Sequence, residues 1–119
     1  MNNQHWLFIE DLPNERWKDV DGYNGLYQIS DYGRVKSFVK NKPIILKQTN
    51  VTNYLFVNLY DKSKHKKPVA IHRLVAETFI SNPNNLPLVM HVDDNKHNNR
   101  YTNLMWGTYS DNILDAYDK

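Results

Sequence analysis

Leu88-Val89-Met90-His91-Val92-Asp93-Asp94-Asn95-Lys96-His97-Asn98-Asn99-Arg100-Tyr101-Thr102-Asn103-Leu104-Met105-Trp106-Gly107-Thr108-Tyr109-Ser110-Asp111-Asn112 is dense in polar, chemically active side chains. Apolar residues cluster at its two ends, so residues 88–92 read as one strand and 104–106 as another, with 93–102 a long polar loop between them. Residues 110–118 read as a closing helix, with Ser110 or Thr108 at its N-cap.

Upstream, Leu74, Val75 and Phe79 fall at helical spacing and Arg73 and Glu77 sit four apart on the polar side, which predicts a helix over 72–80. Pro83 and the surrounding Asn residues end it. The strongest strand signal is Tyr54-Leu55-Phe56-Val57-Asn58-Leu59-Tyr60, rich in β-branched and aromatic residues. Residues 61–67 follow as a polar turn and 68–71 return as the partner strand, which gives a hairpin whose tip carries four lysines. Residues 44–46 fit an edge strand. Further upstream, Asp21-Gly22 and Asn24-Gly25 are turn signals, residues 26–29 alternate as a strand does, and Asp31-Tyr32-Gly33 turns the chain into a second strand through Arg34, Val35 and Lys36. The expected class is α+β, opening with a small antiparallel sheet with a basic face. Trp17, Trp106, Tyr27 and Leu104 are its expected core aromatics and aliphatics.

With 119 residues, 40% hydrophobic and 24% charged, the chain holds one domain's worth of sequence and is too apolar for disorder. It has no Cys, which excludes disulfide scaffolds, thiolate zinc sites and cysteine nucleophiles. No apolar run approaches the roughly 18 residues of a membrane span, and the N-terminus does not read as a signal peptide. The net charge of +2 conceals a division: −4 over residues 1–33, +9 over 34–73 and −3 over 74–119. A cationic middle between acidic ends suggests a polyanion-binding surface beside a site that uses carboxylates or a cation. The expected phosphate contacts are Arg34, Lys36, Lys40, Lys42, Lys62, Lys64, Lys66, Lys67 and Arg73. Tyr32 or Asn24 could reach base edges. His5, His65 and His97 lack a paired ligand spacing and read as surface residues.

From His91 through Asp93, Asn95, Asn98, Asn99, Asn103, Leu104, Trp106 and Thr108 to Asn112, the chain resembles the HNH endonucleases. Their catalytic unit is a ββα-metal (His-Me finger) motif around one divalent ion. His72-Arg73-Leu74-Val75-Ala76-Glu77-Thr78-Phe79 is similar to the helix that leads into this motif in phage and intron-encoded members. Separately, Arg16-Trp17 through Lys36-Ser37 looks like the β-rich DNA-binding module found before that nuclease unit in homing endonucleases. The resemblance implies a DNA-binding module over residues 1–50 and an HNH nuclease domain over 51–119. It further implies a metal-dependent endonuclease that hydrolyses phosphodiesters of double-stranded DNA, with Mg²⁺ or Mn²⁺ as the ion. A monomer with one motif should nick; double-strand cutting would need a dimer or two events. Such a protein would work inside a bacterial or phage-infected cell. Relatives of this layout carry a further C-terminal DNA-reading element that these residues lack, so either lower specificity or a fragment is expected.

By position, His91 would be the general base, and a neutral imidazole with a pKa of about 6.5 suits that role. Asn103 would hold the long loop and so orient His91, and Asn112 would be a metal ligand. The residue before the base is His, Asp or Asn in the family and supplies a second ligand; here it is Met90, whose soft thioether does not suit Mg²⁺. Asp93 is the substitute ligand, ahead of Asp94 and Asp111, unless it serves to cap the loop. The alternative is an HNH-fold DNA- or protein-binding module with impaired chemistry.

Overall fold

A computed structural model describes residues 10–111. Its N-terminal sheet is antiparallel, in the order β1 (Trp17–Asp19), β2 (Tyr27–Ser30), β3 (Val35–Ser37) and β4 (Ile44–Ile45). Val35 and Ser37 point inward from β3 while Lys36 lies between them, the period-two alternation of a strand with one buried face. Gly33 makes the reversal between β2 and β3, at φ +91°, where a side chain would be strained.

A second antiparallel sheet follows: β5 (Thr49–Val51), β6 (Tyr54–Tyr60) and β7 (Lys66–Ala70). β6 buries Val57 and Leu59 and exposes Asn58 and Tyr60. Two features of this sheet differ from the sequence reading. Strand β5 was not foreseen, and it opens the second sheet at Thr49, just before the division read at residue 51. The hairpin turn is shorter than expected, since β7 already begins at Lys66; Lys62 and Lys64 lie in the turn, whereas Lys66 and Lys67 pair with Tyr60 and Leu59 on the strand. Pro68 is tolerated because β7 is an edge strand.

Helix α1 (Ile71–Phe79) starts directly after β7, one residue before the expected boundary. It buries Ile71, Leu74, Val75 and Ala76 and turns Arg73 and Glu77 outward, 3.4 Å apart. Strands β8 (Leu88–His91) and β9 (Leu104–Gly107) then pair antiparallel, joined by the polar loop and a single 3-10 turn at Tyr101–Asn103. Helical backbone resumes at residues 109–111. Thr108 caps it reciprocally: its Oγ1 accepts from the Asp111 amide at 3.1 Å, and Asp111 Oδ2 accepts from the Thr108 amide at 3.1 Å. The rest of the expected closing helix lies outside the described residues.

Val20 just after β1, Tyr27, Ile29 and Val35 from the first sheet, Val57 and Leu59 from the second, Ile71, Leu74 and Val75 from α1, and Leu104 form one core cluster. Each such side chain contributes about 1.5–3 kcal/mol by leaving water, so this shared cluster is what ties the N-terminal sheet to the helix and the last strand pair. Polar ties reinforce it. The Tyr60 amide donates to Tyr27 Oη at 3.0 Å, and the Tyr101 amide donates to the Asp31 carbonyl at 2.8 Å. Tyr27 and Leu104 are core residues, as expected. Trp17 and Trp106 are only half-buried: Trp17 underlies Lys36, and Trp106 donates from Nε1 to the Ile80 carbonyl while Arg73 lies over its ring.

Candidate functional site

His91 ends β8, paired with Leu104 of β9, and is 8% exposed. Past it the chain leaves the sheet through Asp94, at φ +64°, and the loop closes on itself through side chains. Asp93 Oδ1 accepts from the Asn95 amide (2.8 Å) and from Asn103 Nδ2 (2.9 Å), while Asp93 Oδ2 accepts from Asn98 Nδ2 (3.0 Å). Asn103 Nδ2 also donates to the Asn98 carbonyl at 2.9 Å, and its Oδ1 accepts from the Asp93 amide at 3.1 Å. The Val92 amide donates to the Asn103 carbonyl. Asn103 therefore spans the loop from end to end. Donation by Asn98, then by the Asn95 amide and Asn103, holds the Asp93 carboxyl below the usual carboxylate range.

The tip of this loop returns Asn99 to His91: Asn99 Oδ1 lies 2.7 Å from His91 Nε2, in a buried contact. On another side of His91 stands His72, the second residue of α1, with ring centroids 5.3 Å apart. His72 in turn stacks on Tyr54 of β6 at 5.0 Å and 30°. Lys96 extends from the loop over Tyr54, with Nζ 4.9 Å from the ring centroid. Burial, with smaller contributions from His91 and Arg73, pushes the His72 imidazole down to about 4, so it is neutral near pH 7. Its Nδ1 is buried without a hydrogen-bond partner among the described residues, as is Asn99 Nδ2.

The sequence reading had no role for Asn99, His72, Tyr54 or Lys96. Asn99 stood in the motif without a function, and His72 stood at the head of a helix. Their convergence on His91 depends on pairing between distant elements, which no local spacing displays.

Asn112 lies outside the described residues. Met90 is half-buried on β8, and its sulfur fills the space beside Gly107, where an added Cβ would lie 2.6 Å from Sδ. Among the described residues no three His, Asp or Glu side chains come together as a metal site. With a thioether at position 90 and both Asp93 oxygens engaged by the loop, the described donors do not by themselves fit a hard divalent cation.

The expected phosphate contacts separate into two groups. Arg34 donates to both oxygens of Glu15, at 2.9 and 2.5 Å, and lies over Trp17; Lys36 sits 4.1 Å above the Trp17 ring and 3.9 Å from Asp11. Arg73 donates to the Pro87 carbonyl and pairs with Glu77. In contrast, Lys40, Lys42, Lys62, Lys64, Lys66 and Lys67 are exposed and enter none of the ion pairs found among the described residues. Arg100 is exposed too and lies over the Tyr32 ring at 4.0 Å. Tyr32 Oη donates to the Pro13 carbonyl. His65 and His97 are exposed, and His65 pairs with Asp61.

Residues 15–60 match the NUMOD4 motif. Two uncharacterized HNH endonucleases of Acanthamoeba polyphaga mimivirus are 43% and 38% identical over 76% and 88% of this chain. The DNA endonuclease I-HmuI of Bacillus phage SP01 is 38% identical over 82% of the chain. The chain spans 27% of the length of each mimivirus protein and 55% of the phage enzyme. A solved structure of DNA binding and cleavage by the HNH homing endonuclease I-HmuI superimposes with a TM-score of 0.77 at 37% identity, over 87% of this chain and 58% of that one. No helix among the described residues is long and apolar enough to cross a membrane.

Proposed function

This chain is a homologue of the HNH endonucleases that carries a NUMOD4 motif, and on that footing we propose that it is a DNA endonuclease hydrolysing phosphodiester bonds. The observation that carries the reading is His91: a buried imidazole at a strand end, gripped by Asn99 inside a loop that Asp93 and Asn103 brace. His91 takes a proton from water as the water oxygen bonds to phosphorus; the P–O bond to the leaving sugar oxygen breaks, and that oxygen takes up a proton. Asn103 acts through the loop by keeping His91 in register. The β8–β9 pair and the helix starting at residue 109 serve as the ββα nuclease motif within residues 51–119, and the sheet within residues 1–50 docks on duplex DNA. Lys40, Lys42, Lys62, Lys64, Lys66 and Lys67 supply phosphate contacts. One site per chain makes the product a nick, formed inside the cell that holds the target DNA.

HNH endonucleases generally depend on a divalent metal, and the proposal includes Mg²⁺ or Mn²⁺ as the required ion. Because the described donors do not fit such an ion, no step of the reaction is assigned to it. The deciding experiment incubates supercoiled plasmid with the protein and Mg²⁺ or Mn²⁺, beside EDTA and His91→Ala controls. Conversion to the open circle, abolished by EDTA and by the substitution, is expected; a plasmid left supercoiled overturns the reading. Met90 favours the second reading, an HNH-fold DNA-binding module whose chemistry is impaired.

A further inference from the structure

Asn99 is 4% exposed and His91 8%, so the hydrogen bond between them is shielded from water. Its 2.7 Å length joins His91 Nε2 to the amide oxygen of Asn99. In this amide orientation the oxygen only accepts, which puts the proton of a neutral imidazole on Nε2 and leaves the lone pair on Nδ1. We infer that Asn99 is a positioning residue that fixes His91 as the Nε2–H tautomer, and that Gly33 of the N-terminal sheet holds Asn99 in place to do so. The inference rests on the reading of His91 as the base and specifies which of its nitrogens takes the proton.

Two observations support a positioning role over simple packing. Asn99 Nδ2 is buried without a hydrogen-bond partner among the described residues, a cost of about 1–3 kcal/mol that an apolar side chain would avoid. The fold accepts this cost while directing the amide oxygen at His91. Second, Asn99 packs against Gly33 so closely that only a glycine fits there. A Cβ on Gly33 would stand 3.0 Å from Asn99 Cβ, 3.2 Å from the Asn99 carbonyl oxygen and 3.4 Å from Ile71 Cγ2. Gly33 is itself anchored, since its amide donates to the Ser30 carbonyl at 3.0 Å and its carbonyl accepts from Gln48 Nε2 at 2.6 Å. The turn between β2 and β3, inside the NUMOD4 match, thereby abuts the loop that orients His91. The opposite amide orientation would direct Nδ2 at Nε2 and move the imidazole proton to Nδ1, so the two arrangements differ in an observable.

That observable is the pair of ring nitrogen shifts of His91, read by NMR on protein labelled with ¹⁵N-histidine at about pH 8, where ordinary imidazoles are neutral. The His91 signals are assigned by their loss in His91→Gln. The unmodified protein should show one tautomer with the proton on Nε2. Asn99→Asp, which can only accept, should keep that tautomer, whereas Asn99→Leu should give a mixture. In nicking assays Asn99→Leu should lower kcat by roughly 10- to 100-fold with KM for DNA little changed, and Gly33→Ala should shift the His91 signals in the same direction as Asn99→Leu. A proton on Nδ1 in the unmodified protein overturns the inference, as does a tautomer that switches in Asn99→Asp or is unchanged in Asn99→Leu. If Asn99→Leu fails to fold, the unmodified protein and Asn99→Asp still decide. A chain that does not nick DNA overturns the proposed function and leaves this measurement standing, because nitrogen shifts need no turnover.

Discussion

His72 and His91 come from different elements and face each other with ring centroids 5.3 Å apart and planes at 46°. Burial disfavours a charge on His72, and the neighbouring His91 and Arg73 add smaller repulsions, so His72 stays neutral until about pH 4. The unfolded imidazole, with a pKa of about 6.5, binds its proton first as the pH falls. Stability is therefore full above about pH 6.5 and is lost progressively toward pH 4, below which both states are protonated. Since the ring keeps some contact with solvent, the loss should be on the order of 1 kcal/mol. Urea titrations across this range should show the slope, and His72→Phe, which retains the stack on Tyr54, should flatten it; an equal slope in both proteins would exclude His72 as its source.

Glu15 and Arg34 form a second polar centre. The Glu15 side chain is 0% exposed and the Arg34 side chain 25%. Burial pushes the Glu15 carboxyl up, but the Arg34 guanidinium, the Ser30 hydroxyl and the Leu12 amide together hold it below the usual range. Glu15→Gln removes the negative charge and leaves Arg34 partly buried without its counterion. We expect a loss of about 2–4 kcal/mol by thermal melting, toward the low end because Arg34 keeps some solvent. Arg34→Met should likewise lower the melting temperature while leaving the salt dependence of DNA binding nearly intact. A variant that melts normally but has a smaller salt slope would show that Arg34 serves DNA instead.

What the sequence made legible follows the range of the physical signal. β6 and α1 could be read because alternation at two residues and apolar recurrence at three to four are local properties of the chain. That Asn103 braces the loop after His91 was implied by the resemblance, whose motif lies in one continuous stretch of chain. The Glu15–Arg34 pair could not be read, because a count of charges does not reveal that Glu15, 19 residues away, meets the Arg34 guanidinium. The convergence of His72, Tyr54 and Asn99 remained invisible for a related reason: they lie on α1, β6 and the loop, and only tertiary packing brings them to His91.

The exposed lysines of the hairpin make an electrostatic prediction. Lys64, Lys66 and Lys67 line the turn and β7 without ion-pair partners among the described residues, so their charge is available to a polyanion. If each meets one phosphate, reversing all three to Glu should reduce the slope of log affinity against log salt by about 3. Fluorescence anisotropy of a labelled duplex at several salt concentrations reads this directly. An unchanged slope would place the DNA on another face, with Lys40, Lys42, Lys96 and Arg100 the next residues to test.

Met90 and Gly107 test whether the site is impaired. The thioether lies so close to Gly107 that a Cβ there would be 2.6 Å from the sulfur, with Asp111 Oδ2 3.6 Å from the same Cβ position. Gly107→Ala should therefore destabilise the β8–β9 pair only slightly, by about 1 kcal/mol or less, because the flexible, half-buried Met90 thioether can swing aside. Met90→Asp is shorter and should fit the existing space. It replaces a soft sulfur with hard oxygens next to His91, near the carboxylate of Asp111. If Met90 limits the chemistry, Met90→Asp should raise Mg²⁺-dependent nicking by about tenfold or more and tighten Mn²⁺ binding measured by calorimetry. Equal nicking rates in the two proteins would show that position 90 does not limit the reaction, and that the native thioether is compatible with full activity.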